Sequence, residues 1–84
     1  MHEMSLMADL LRKVEATAQA QQVVSVTVKL GALSHISPEH FREHFAQATR
    51  GTIAEGARLE IEVLTDLSDP QAQQIVLDSV EVEV

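Results

Sequence analysis

The chain has 84 residues, with 13 Asp and Glu against 6 Lys and Arg for a formal net charge of −7, two Phe, and no Trp, Tyr or Cys. This acidity argues against a nucleic-acid binder, which needs clustered Lys and Arg on the phosphates. The lack of Cys excludes a disulfide framework, a thiol nucleophile and any cysteine-ligated zinc or iron–sulfur site.

The elements are read in chain order from hydrophobic periodicity. Residues 5–21 predict a helix: Leu6, Met7, Leu10, Leu11, Val14 and Ala18 fall on one stripe, which Thr17 and Gln21 extend more weakly. Ser5 is a candidate N-cap, with a start as early as Glu3 the alternative. Residues 23–30, VVSVTVKL, alternate as a strand with one buried side, Val24, Val26, Val28 and Leu30 opposite Ser25, Thr27 and Lys29. Gly31 closes that strand and residues 32–37 form a loop. Ser37-Pro38 opens a second helix that runs to about Thr49, with Phe41, Phe45 and Ala48 inside and Arg50-Gly51 as its stop. A connector over residues 52–56 leads to a strand over 57–64, where Leu59, Ile61 and Val63 alternate with Arg58, Glu60 and Glu62. Residues 65–73 are polar, with Asp69-Pro70 as a turn signal. Residues 74–84 predict a last strand whose apolar parity changes from Ile75 and Leu77 to Val80, Val82 and Val84. That change predicts a bulge near Asp78-Ser79.

The order α-β-α-β-β implies an α+β fold, a two-layer α/β sandwich with two helices on one face of a three-stranded mixed sheet. The chain reads as one domain over residues 1–84, with the last two strands expected to form an antiparallel pair. In that arrangement Glu60, Glu62, Glu81 and Glu83 line one outer face, either a solvated acidic surface or a docking face for a basic partner. A domain this small buries only about 60% of its unfolded surface. A partner or a homodimer, including one swapped through the last strand, would add stability. No membrane-spanning run and no basic secretory n-region are present, so the expected location is the cytoplasm.

No catalytic constellation presents itself, and the protein is not expected to be an enzyme. The chemistry lies in four His, one of them at position 2. A large second residue normally leaves the initiator Met in place. The Met1 amine, the His2 backbone nitrogen and the His2 imidazole then close fused five- and six-membered chelate rings. Glu3, through its backbone nitrogen or carboxylate, or another His is a candidate fourth donor. Such a planar nitrogen set suits nickel(II) or copper(II) rather than tetrahedral zinc. A His near a terminus is also often just a surface His. His40 and His44 stand four apart on the second helix, a metal-ligand spacing. The core position of Phe41 and Phe45 beside them favours the plainer reading, a solvated helix flank. His35, in the loop after the first strand, is a further candidate ligand.

The opening MHEMSL, the stretch VTVKLGALSHISPEHF and the stretch GTIAEGARLEIE, in this order, resemble the HypA/HybF hydrogenase nickel-incorporation proteins. The closing VLDSVEVEV resembles that family's last strand. The resemblance implies a nickel(II) metallochaperone for [NiFe] hydrogenase, working with a HypB-type GTPase and the hydrogenase large subunit. It places the nickel site on Met1, His2 and Glu3. It also implies two helices on a three-stranded sheet. Members of the family carry a two-CxxC zinc domain between the second and last strands. Here that place holds only the linker around residues 65–74, so no structural zinc is expected. His35, His40 and His44 are then candidate substitutes for a ligand from that module. The alternative function is a non-metal scaffold, a zinc-domain-less paralogue serving as a subunit of a larger complex.

Overall fold

The computed structural model describes residues 3–83, with side chains from Ser5 onward. The elements are α1 (Glu3–Ala18), β1 (Val23–Leu30), α2 (Pro38–Ala48), β2 (Arg58–Val63) and β3 (Ile75–Val82). The α+β class, the helix and strand numbers and the element order follow the expectation.

α1 begins at Glu3, the earlier of the two predicted starts, and ends three residues short of residue 21. It stops because Gln19 and Ala20 take left-handed φ values of 51° and 68°, which no helix can continue. Its stripe of Met7, Leu10, Val14 and Ala18 is buried, while Thr17 and Gln21 are exposed. α2 begins at Pro38, with Ser37 at the N-cap position in extended conformation; the Ser37 hydroxyl makes no capping bond. Phe41 and Phe45 are buried as predicted, but Ala48 is exposed and Thr49 takes the inner position instead. Its hydroxyl donates to the Phe45 carbonyl at 2.8 Å, which satisfies a polar group that burial would otherwise orphan. Both helices feed one continuous core with Val26, Val28 and Leu30 of β1 and Leu59 of β2.

The sheet is mixed, in the order β2-β1-β3. β1 pairs parallel with β2 and antiparallel with β3. The expected antiparallel pairing of the last two strands is therefore corrected: they lie on opposite flanks of β1. β1 is buried almost throughout, whereas β2 and β3 are amphipathic and partly exposed. The most apolar strand gains most from a neighbour on each side, so it takes the centre. The register breaks between Thr27 and Val28, where β3 steps from Ser79 to Leu77. Asp78 is the extra residue, at the predicted position, and the bulge turns both apolar runs of β3 toward the same core. A second break, between Val23 and Ser25, was not foreseen. It leaves Val24 48% exposed and buries Val23, contrary to the expected parity.

The acidic residues also sit differently from the expectation. Across the sheet, the register sets Arg58, Ser25 and Glu81 in one row, with Ser25 buried between the two exposed charged side chains, and Glu62 and Lys29 in another. Arg58 reaches Glu60 at 3.1 Å and Glu81 at 3.8 Å, Lys29 reaches Asp78 at 3.8 Å, and the Ser25 hydroxyl donates to Glu81 at 2.6 Å. Cations and hydroxyls thus separate carboxylates that direct pairing would have set against each other.

The linker after β2 crosses the end of β1 and is held there. Gly31 N donates to the Gln74 carbonyl at 2.9 Å and Leu33 N to the Ala72 carbonyl at 2.7 Å. Upstream, the Asp66 carboxylate accepts the Ser68 hydroxyl and backbone N–H at 2.7 and 2.9 Å, and these bonds, the hydroxyl foremost, hold its pKa below the ordinary carboxylate value. Edge strand β2 is fastened from α2, where Arg42 donates to the Leu59 carbonyl at 2.6 Å. Arg42→Ala is expected to lower stability by about 1–2 kcal/mol, the worth of a charged donor on a partly buried carbonyl, read from the midpoint of urea unfolding.

Candidate metal centre

Topology sets the starts of both helices at one end of the sandwich. The first turns of α1, at Ser5 and Leu6, share a depression with Gln74 and Ile75. Ile75 pairs with Leu30, so this is the end of the sheet where β1 finishes. The loop carrying His35 and the start of α2 follow directly from it. Both helices therefore open at the same end.

Met1 and His2 lie outside the described residues, and Glu3 is described as the first residue of α1 by its backbone alone. The amine–amide–imidazole set of the sequence thus leads straight into a helix N-terminus. That end of the helix dipole is positive and favours the anionic, deprotonated amide nitrogens that such a chelate requires.

The other three His separate into a pair and a single. His35 is exposed, at a left-handed φ of 56°, directly after a turn closed by Ser34 N donating to the Gly31 carbonyl at 3.0 Å. His40 and His44 stack on consecutive turns of α2, with ring centroids 6.4 Å apart and planes within 10°. His40 is exposed and His44 half-buried. His44 lines a depression with Met7, Gln47 and Ala48. Met7 stands one turn beyond Glu3, so this depression adjoins the start of α1. Periodicity alone assigned Met7 to the core; nothing in the sequence marked it as a neighbour of His44. Among the described residues no three His, Asp or Glu side chains gather in a metal-binding group. His35 therefore joins no cluster with the pair.

The stretch GTIAEGA is structural in its local role. The Thr52 hydroxyl donates to the Thr49 carbonyl at 2.7 Å and accepts from Ala54 N at 3.1 Å. Gly51 N donates to the Glu55 carboxylate at 3.2 Å, and Gly51 and Gly56 take φ values of 76° and 77°. Ala54 is buried, and the Ile53 carbonyl accepts from Val23 N at 2.8 Å. These residues fold a compact turn that ties the end of α2 to the start of β1.

The family described as "Hydrogenase/urease nickel incorporation, metallochaperone, hypA" matches residues 1–68. Among similar proteins, the hydrogenase maturation factor HypA of Methylocella silvestris is 45% identical over 67 residues, 76% of this chain and 59% of the relative. That of Archaeoglobus fulgidus is 48% identical over 66 residues, 75% of this chain and 60% of the relative. That of Geobacter sulfurreducens is 39% identical over 62 residues, 74% of this chain and 56% of the relative. The chain thus spans about three-fifths of the length of the relatives it matches. No described helix is long and apolar enough to cross a membrane.

Proposed function

We propose, from the premise that this chain belongs to the HypA family of hydrogenase/urease nickel-incorporation metallochaperones, that it binds one nickel(II) at its N-terminus and passes it on in hydrogenase maturation. The observation that carries this reading is the sequence Met1-His2-Glu3 at the mouth of α1, inside the matched segment. The Met1 amine, the His2 amide nitrogen and the His2 imidazole supply three donors in a plane, and Glu3 supplies the fourth. The ion is cargo, and the protein performs no bond-making on a substrate. Release proceeds by ligand exchange: protonation of amine and amide nitrogens loosens the chelate as a partner's ligands take hold.

The partners proposed are a HypB-type GTPase and the hydrogenase large subunit. The start of α1 lies beside Gln74, at the end of the linker over residues 65–74. The family match stops at residue 68, within that linker. A component that supplies what the relatives carry beyond their matched portion would, at this position, stand beside the start of α1. The sequence itself offers no thiolate for zinc.

The test is calorimetric titration of the untagged chain with nickel(II), against His2→Ala. The variant is expected to lose at least about tenfold in affinity, since two of three fused chelate donors depend on the intact imidazole anchor. Equal affinities would remove the N-terminus as the site.

A further inference from the structure

We infer that His40 and His44 form a second, weaker cation site, a two-imidazole clamp on α2 for a divalent transition-metal ion. It lies close to the start of α1. The stacking of the two rings carries the inference. The two imidazoles stand parallel on consecutive turns, 6.4 Å between centroids and 10° between planes, so both present their edges to the same volume. Side chains four apart on a helix have Cβ atoms about 5–6 Å apart. Metal–imidazole bonds are about 2.0–2.1 Å, so two adjacent ligand nitrogens on one ion stand about 3 Å apart. Rings already facing the same way reach that separation by side-chain rotation, with the helix backbone fixed.

The donor choice follows from the surroundings. Nδ1 of His44 is buried, so Nε2 is the nitrogen that serves the ion. Glu39 and Glu43 flank the pair on the exposed side of α2 and favour a cation there. No third described His, Asp or Glu joins the pair, so water completes the coordination. Two protein ligands and several waters make a loose, rapidly exchanging site. Such a site suits capture and hand-over. It also adjoins the start of α1, because His44 shares its depression with Met7, one turn beyond Glu3. That the ion is nickel(II) rests on the nickel-incorporation reading; that the pair binds a divalent ion of this class does not.

The experiment uses the full 84-residue chain, free of any histidine tag, in the His2→Ala background, so that the N-terminal chelate is removed. Nickel(II) alone is titrated by calorimetry, with imidazole ring protons followed by NMR. The expected result is one residual weak site, with paramagnetic broadening at His40 and His44 and little at His35, which serves as an internal control. Adding His40→Gln, at an exposed position that tolerates the change, is expected to weaken that site at least about tenfold by destroying the chelate. Broadening spread equally over His35, or residual binding unchanged by His40→Gln, overturns the inference. The proposed N-terminal site is judged separately, from the loss on passing from native protein to His2→Ala.

Discussion

Four residues added ahead of Met1 are expected to weaken nickel(II) binding about a hundredfold, while the fold and its melting temperature stay as they are. The extension moves the amine out of the chelate, and the remaining amide and imidazole donors lose the anchor that makes deprotonating the amide worthwhile; the loss of a tethered donor is worth about this factor. Nothing in the core is disturbed, since the described packing of α1 begins beyond the site, with Leu6 and Met7. A single added residue gives a sharply different expectation. It places the imidazole on the third residue, where amine, two amides and imidazole again close a planar ring system, so binding persists. Comparing the two extensions by calorimetry separates a chelate from a merely exposed His, which would be indifferent to both. Affinity should also rise with pH for the native chain, because each bound ion displaces protons from its nitrogen ligands. A four-residue extension that binds as tightly as the native chain would exclude the Met1 amine.

Gly31→Ala is expected to cost about 3 kcal/mol of stability, at the upper end for overpacking, without touching any proposed nickel ligand. A methyl group there would stand 2.2 Å from the Ala72 carbonyl oxygen and 2.6 Å from that of Gln71. Both are backbone atoms, so no rotamer change relieves the clash, and the linker itself has to move. Its movement breaks the bonds from Gly31 N to Gln74 and from Leu33 N to Ala72. It also pulls on Ile75, the first residue of β3, which Gln74 precedes. For a small domain with a total stability of about 5–15 kcal/mol this is a large fraction. Chemical denaturation gives the cost, and amide exchange at Gly31 and Leu33 shows whether the linker has lifted. An unaltered midpoint would mean that the linker yields freely and does not hold β3 in place.

Much of this architecture is legible in the sequence because periodicity is local. The stripe from Met7 to Ala18 has the period of a helix face, and the Ser37-Pro38 pair suits a helix start because proline's φ is already set. The parity change in the last strand demanded an extra residue near Asp78, and β3 has it there because its two apolar runs have to face one core. Val24 escaped the same reasoning. A valine beside a valine carries no parity signal, and the bulge that exposes it is imposed by the antiparallel partner.

The sequence by itself thus determined the elements, most of their buried faces and the bulge in the last strand. Tertiary structure alone decided the rest. Strand order depended on which strand gains most from two neighbours, a comparison among segments that no local window contains, and it went to β1 at the centre. The close passage of the linker over Gly31 joins residues about 40 apart in the chain, and Gly31 read only as a strand end until that passage was seen. The spacing of His40 and His44 was visible, but not that their rings lie parallel, nor that His44 borders Met7 near the start of α1. The sequence encodes which side chains can bind a metal; only the fold brings His44 beside Met7.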